Sequence, residues 1–366
     1  MFSKNIIDYV YTEKRSFEEF PFNRVDSLVF SQLSYLDFSE NLGSLEDEYD
    51  FISLKDLAAF PNKTKYFQKT WSVLRNKVLL KAISKSNRFK NVEANFLSEK
   101  LDEKLESQFC ACTLKIDDDL HYIVFRGTDT SLVGWKEDFN MSYTFPVPAQ
   151  EEALKYLEDV AEKIDGRLLV GGHSKGGNMA VYASVMAGEK VQSRIDIIYS
   201  HDGPGFMVDL SSDERAKPVI GKIEHTIPQG SVVGLLMHGL GENLVIRSKT
   251  QGLVQHFSFN WLVEGDDFVI ENDISPEAAM VEDTIDEWLA GMDTEARKNF
   301  VNIVFSVLET GNIRDLKDVN RESIAKIPDV VKTIQNMEDE EKKYILIALK
   351  SLITLMTGIG IKEFSL

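Results

Sequence analysis

The stretch Gly172-His173-Ser174-Lys175-Gly176 constrains this chain more than any other. It spells G-x-S-x-G. An apolar run, Leu168-Leu169-Val170-Gly171, leads into it, and a helix-like segment, Gly177 to Ala187, leads out. A strand that turns sharply into a helix at this pattern forms a nucleophile elbow. The flanking glycines let two backbones pass close together. The serine hydroxyl then stands at a helix N-terminus, where developing negative charge is stabilised. The competing reading is a glycine-rich turn that cradles phosphate. Such a loop wants Lys followed by Ser or Thr at the helix start, and Lys175-Gly176-Gly177 does not supply that.

The pattern along the rest of the chain decides what surrounds the turn. Residues 1 to about 105 read as mainly helical: Val25, Leu28, Val29, Leu33 and Leu36 recur at helical spacing, and Trp71 to Ile83 repeats the theme. Phe109–Ile116 and His121–Phe125 are short apolar runs around Asp117-Asp118-Asp119, which predicts a hairpin with the acidic triplet as a solvated turn. A helix is expected over Glu151–Ile164, with Ala153, Leu157, Val160, Ala161 and Ile164 in one stripe. After the elbow come strands at Ile195–Tyr199 and Lys222–Ile227, with Leu244–Arg247 and Asp267–Ile270 as the last. Strands alternating with helices in this way argue a mostly parallel sheet with right-handed crossovers.

From Ser275 the strand signal ends. Ser275-Pro276-Glu277 reads as an N-cap, a Pro at the first helical position and an acidic first turn. Val281, Ile285, Trp288, Leu289 and Met292 are expected to share a helix face. Asp293 should cap a second helix that ends at Gly311. Further helices are expected around Ile324–Ile334 and over Asp339–Met356. The chain therefore divides at about residue 274, with a helical module over 275–366.

Composition narrows the partners. The 366 residues carry a formal net charge of −18. Nucleic acid and anionic membrane surfaces would repel such a chain on average. Cys110 and Cys112 point to one face of a strand, so a bridge between them would be strained, and they read as packed thiols. Met1–Phe20 has no apolar core of the signal-peptide kind, so a cytoplasmic location is the default expectation. The most apolar stretch, Tyr344–Ile361, carries Lys350 in its middle. It reads as a packed amphipathic helix, with a transient lipid-surface contact as the alternative.

A serine nucleophile needs a base, and the base needs an orienting acid. In a fold built on this elbow the chain order is Ser, acid, His. His201, His225, His238 and His256 follow Ser174. His225 lies within a strand, His238 in what reads as a short helix, and His201 is followed at once by Asp202. His256 lies in a late loop and is the candidate base. Among the carboxylates between Ser174 and His256, Asp202 ends the strand after the elbow, where catalytic groups collect. It reads either as the cap of a Gly-Pro turn or as the acid. The oxyanion hole is expected from the Lys175 N–H plus the Gly127–Asp129 loop, with Thr128 and Asp129 as candidates and the Thr128 hydroxyl as an added donor. Arg126 reads as a buried, paired structural arginine.

These motifs together resemble the class 3 lipase branch of the α/β-hydrolases. The resemblance rests on Phe125-Arg126-Gly127-Thr128, on Trp135 with Asp138, and on Gly172-His173-Ser174-Lys175-Gly176-Gly177. A bacterial group of lipase-like proteins, known as a domain of unknown function, is more similar still. Its hallmarks resemble Gly127-Thr128-Asp129, Trp135-Lys136-Glu137-Asp138-Phe139, His173 to Asn178 and Asp202-Gly203-Pro204-Gly205-Phe206, and the likeness covers about residues 20–272. It implies an α/β-hydrolase fold over 1–274, with a helical N-terminal part, and a helical C-terminal module serving as cap, lid or docking surface.

The implied activity is cleavage of carboxylic esters, acyl lipids among them, by Ser174, His256 and Asp202. No metal or cofactor is called for. The alternatives are a catalytically inactive binding or regulatory module, a thioesterase or a peptidase. Class 3 lipases usually place the acid after the following strand in an Asp-Pro segment. The matching Ile227-Pro228-Gln229-Gly230-Ser231 has no carboxylate, whereas Asp202-Gly203-Pro204 resembles the pancreatic-type lipases. Lys175 replaces the usual apolar residue after the serine. That cation is expected either to favour an anionic or polar substrate or to reach solvent. The sequence leaves the oligomeric state open.

Overall fold

The structure, a computed structural model, describes residues 4–47, 50–61, 63–310 and 315, with the backbone alone at 307–310. The chain opens with α1 (Ile6–Thr12) and α2 (Arg24–Leu33), then β1 (Ile52–Ser53), α3 (Leu54–Leu57) and α4 (Val73–Ile83). The meander β2 (Glu93–Asp102), β3 (Ser107–Lys115) and β4 (Leu120–Phe125) follows. Next come α5 (Leu132–Asn140), α6 (Pro148–Lys163), β5 (Arg167–His173), α7 (Lys175–Met186), α8 (Glu189–Gln192) and β6 (Ile195–His201). β7 (Ile223–Pro228), β8 (Asn243–Ile246), β9 (Val263–Glu264), β10 (Asp267–Phe268), α9 (Pro276–Ala290) and α10 (Thr294–Thr310) follow among the described residues.

β1 to β8 form one eight-stranded sheet whose spatial order is the chain order. Pairs up to β3–β4 are antiparallel, and those from β4–β5 to β7–β8 are parallel. Parallel strands that advance steadily in one direction send their crossover helices to one face of the sheet. α6 and α7 accordingly share a core with Phe109, Phe125, Val170 and Ile198. The opposite face would be left bare. The N-terminal helices cover it: Val10, Val25, Leu28, Val29 and Ile83 pack on Cys112, Tyr122, Val124, Leu169 and Tyr199. Alternate residues of β4 thus feed two cores, as strand geometry requires. Cys110 and Cys112 are buried free thiols.

Local chemistry sets the helix ends. Asn23 accepts from Val25 and Asp26 N–H, and Asp26 answers to the Asn23 N–H, closing a capping box on α2. Ser275 accepts from Ala278 N–H, with Pro276 at the first turn of α9. The N-terminal cover is tied internally by a fully buried pair, Arg88 with Asp26, to which Tyr9 donates at 2.9 Å.

This is an α/β-hydrolase fold: a mostly parallel central sheet, helices on both faces, and a strand–serine–helix turn at β5. Residues 1–105 are mainly helical, as expected, and also hold β1 and the long β2; two other expectations need correction. β2 carries a register shift between Asn95 and Ser98, with Phe96 at φ 56°, so its apolar residues lose strand alternation. The expected strand Asp267–Ile270 is split: Asp267–Phe268 pairs with β9 in a separate ribbon, and Ile270 meets the main sheet as a single bridge to Ile246 of β8. His238 follows Met237 at φ 66° and bridges Phe206 as extended chain rather than helix. α5, for which the sequence pattern gave no signal, follows the loop after β4.

α10 buries Val301, Val304 and Phe305, and Phe305 meets Phe139 of α5 edge-on at 5.4 Å. α9 starts beside the end of β7, where Ser275 N–H donates to the Gln229 carbonyl at 2.6 Å. The expected helices around Ile324–Ile334 and Asp339–Met356, and the stretch Tyr344–Ile361, lie outside the described residues. Among the described residues no helix is long and apolar enough to cross a membrane.

Candidate active site

The site begins with strain. Ser174 sits between β5 and α7 at φ 59°, ψ −133°, a conformation costly for any residue with a Cβ. Its N–H donates to the His201 carbonyl at 2.9 Å, so the end of β6 holds the turn. The close passage that permits it is visible at Gly176, where a Cβ would lie 2.2 Å from the Phe125 carbonyl oxygen. The side of the elbow facing β4 is equally tight. A Cβ at Gly127 would stand 3.1 Å from that of Ser174. Ser174 is half-buried, at the C-terminal edge of the parallel strands.

Asp202 follows β6, with φ 51° and its N–H on the Thr226 carbonyl at 2.8 Å. Its carboxylate is fully buried and reaches His256: Oδ2 lies 2.6 Å from Nδ1. The other oxygen accepts from the Ser231 hydroxyl and, at 3.1 Å, from the Gly234 N–H. Burial works to raise the Asp202 pKa, but the His256 hydrogen bond and charge, with the Ser231 hydroxyl, outweigh it and hold the carboxyl below its ordinary value. An ionised carboxylate accepts, so Nδ1 of His256 carries the proton and Nε2 is the nitrogen left to take another.

His256 is fixed by its neighbours. Its ring lies against that of His173, centroids 4.6 Å apart, and its backbone carbonyl is 2.8 Å from His173 Nε2. A carbonyl only accepts, so His173 Nε2 carries a proton and its Nδ1 accepts from the Tyr35 hydroxyl at 3.2 Å. Burial first, then the charge of His256, pushes the His173 pKa down to about 3, so this imidazole stays neutral. The adjacent Gln255 ties the loop down on both sides, through Gly230 N–H at 3.1 Å and Trp261 Nε1–H at 2.8 Å. His256 thus packs directly, at a tilt of 34°, against the residue that precedes Ser174.

The other histidines lie elsewhere. His201 is fully buried with Nε2 2.8 Å from the Ser27 hydroxyl, on the N-terminal face. His225 is buried within β7, and His238 pairs with Phe206.

The expected oxyanion groups show a division between backbone and side chain. Lys175 is the first residue of α7, where an N–H has no partner within the helix. Thr128 and Asp129 follow Gly127 beside the elbow. The Thr128 hydroxyl lies 2.8 and 2.6 Å from the two oxygens of Asp138. Burial above all, with the charge of Glu137, pushes the Asp138 pKa up to about 6, against the pull of Lys175, Thr128 and His256. Its side chain is nonetheless 22 % exposed. The Asp129 carboxylate turns to Arg126 at 3.1 Å and to Ser131 N–H at 2.8 Å. Arg126 is buried and also bonds Glu99 at 3.0 Å.

The Lys175 side chain corrects the sequence reading. It neither reaches solvent nor faces a substrate. It is 1 % exposed, with Nζ 2.9 Å from Glu137 Oε2 and 2.8 Å from the Gln108 carbonyl. A lysine placed inside a helix–sheet interface has to find a carboxylate there.

Residues 83–306 match the Mbeg1-like family. The chain belongs to the Mbeg1-like family. Among solved structures it is similar to a mutant form of MDLA from Penicillium cyclopium, at 13% identity over 69% of this chain and 87% of that one, with a TM-score of 0.38. It is also similar to a fungal lipase in complex with an inhibitor, at 15% identity over 61% of this chain and 78% of that one, with a TM-score of 0.37. No curated protein matches it.

In this Mbeg1-like chain the segment His173 to Asn178 ties together every part of the site. His173 holds the His256 loop, and Lys175 holds α5. Asn178 donates to the Pro204 and Gly205 carbonyls at 3.0 and 2.9 Å, and accepts from Gln150 of α6 at 2.8 Å. Glu137, Gln108, Ser231, Tyr35 and Gln150 were not singled out from sequence as site residues. Ser231 had a faint signal: it stands in the loop after β7, the place where a class 3 lipase would carry its acid.

Proposed function

We propose that this protein is a serine hydrolase that cleaves carboxylic esters, acyl lipids among them. The observation that carries the reading is the 2.6 Å contact of His256 Nδ1 with a buried Asp202, made by a ring packed at a tilt against the neighbour of a strained Ser174. A plain glycine-rich turn would need none of this.

In this reading the Ser174 hydroxyl attacks the ester carbonyl as His256 Nε2 takes its proton. Asp202 keeps the imidazole in the tautomer that permits this and stabilises the imidazolium. The tetrahedral oxyanion is received by the Lys175 N–H and by the loop Gly127–Asp129. While Asp138 is ionised it claims the Thr128 hydroxyl proton, which leaves the backbone of that loop as the donor. The imidazolium then protonates the departing alcohol. Water, deprotonated by His256, releases the acid from the acyl-enzyme. The division at residue 274 belongs to the same proposal, with the helices beyond it acting as a cap that buttresses α5.

A panel of p-nitrophenyl esters, set against thioester and amide substrates, tests the reading. Ester turnover in wild type and its loss in Ser174→Ala is the expected result. Turnover confined to thioesters or amides would move the assignment to those bonds. A folded wild type inert towards the whole panel would favour a binding module.

A further inference from the structure

Lys175 carries an unusual load for a residue beside a nucleophile. Besides Glu137 and the Gln108 carbonyl, its ammonium lies 3.2 Å from Gln108 Oε1 and 3.8 Å from Asp138 Oδ1. Glu137 is itself fully buried. Its Oε1 accepts from Ala149 N–H at 2.9 Å, and its Oε2 from Gln108 N–H at 2.8 Å. One ion pair therefore joins the start of β3, the middle of α5, the start of α6 and the first turn of α7. The next residue of α5, Asp138, holds the Thr128 hydroxyl. The path from Lys175 through α5 to the Thr128 loop is continuous.

A buried ion pair is a poor way to gain stability, since well-packed apolar side chains often do as well or better. Charged hydrogen bonds in a dry interior do something else: they fix direction. Oxyanion donors act through such fixed direction, because their value lies in needing no rearrangement during reaction. We propose that Lys175 is a positioning residue, whose ammonium clamps α5 to the nucleophile elbow and so holds the Thr128 loop in its oxyanion-binding place before substrate arrives. The assignment rests on the serine-hydrolase reading above.

The test compares Lys175→Met, Glu137→Gln and the double variant with wild type on p-nitrophenyl butyrate. Lys175→Met leaves Glu137 buried without its cation, so it should melt lower. The double variant removes both charges, and the carboxamide at 137 keeps one acceptor oxygen where the carboxylate offers two to Gln108 and Ala149, so it should recover most of the lost melting temperature. A structural role alone would restore kcat along with the melting temperature. The clamp predicts instead that the double variant keeps a kcat lowered about 100-fold with KM little changed, the mark of an interaction felt in the transition state. Glu137→Gln should fall about 10-fold, since a neutral acceptor holds the ammonium less firmly.

Hydrogen exchange of the full-length protein reads the clamp without any catalysis. Amides of residues 128–140 should exchange at least about 10-fold faster in the double variant, as expected where local opening has become easier. A double variant with wild-type kcat, or with wild-type protection over 128–140, overturns the proposal. Should wild type show no Ser174-dependent ester turnover, the hydrolase reading fails, and the exchange data alone uphold or overturn the clamp.

Discussion

Asp202 grips His256 with one carboxylate oxygen, 2.6 Å from Nδ1, while its other oxygen is held by Ser231 and Gly234. The carboxylate thus cannot swing away from the imidazole without breaking two bonds made on its far side. The loop that supplies Ser231 and Gly234 comes from the end of β7, and the carboxylate from the end of β6. Two strand ends therefore cooperate to present one acid.

Replacing Asp202 by Asn removes the charge and offers His256 an amide that can stabilise the wrong tautomer. In the proposed triad, kcat on an ester substrate should fall on the order of 10⁴-fold with KM nearly unchanged. Steady-state kinetics at pH 8 check this. A variant that folds and keeps wild-type kcat would remove Asp202 from the acid's role.

Asp138 should leave a signature in the pH dependence of stability. Its pKa is raised to about 6 in the folded protein, so the folded state binds its proton more readily than the unfolded chain does. The stability this contributes is fully present below about pH 4 and is lost as pH rises through about 6. Asp138→Asn removes the group that loses its proton. Relative to wild type, the variant should gain up to about 3 kcal/mol between pH 4 and pH 8. Urea melts at the two pH values measure the difference, and parallel profiles would contradict the assignment.

Phe305 is the buried anchor of α10 against Phe139 of α5. Phe305→Ala should lower stability by about 3–5 kcal/mol through the cavity it opens. Because α5 also carries Glu137 and Asp138, kcat should drop along with it, and more than KM rises. Urea unfolding together with ester kinetics tests both halves. Unchanged stability would mean that α10 does not support this side of the site.

The parallel half of the sheet could be read from the sequence for a physical reason. β5 and β6 are covered on both faces, so they appear as unbroken apolar runs, Leu168–Val170 and Ile197–Tyr199, between helical stripes. β2 escaped because its bulge at Asn95–Ser98 breaks the period of two on which strand recognition depends. β9, two residues long, is too short to show any period. At the site, Ser174 stands in a local pattern and Asp202 at a strand end, both visible in a few residues. Its contact with His256 crosses 54 positions and depends on the fold. The course of the Lys175 side chain could not be read at all. Its partners Gln108 and Glu137 lie in other elements, and spacing along the chain does not tell which way a first-turn side chain turns.

Covalent labelling asks whether Ser174 is a nucleophile. Wild-type protein is treated with an alkyl fluorophosphonate and digested, and the modified peptide is sequenced by mass spectrometry. One phosphonyl adduct is expected, on Ser174, abolished in Ser174→Ala and strongly slowed in His256→Ala. Folded wild-type protein that takes up no label, or takes it up at another residue, would contradict Ser174 as the nucleophile.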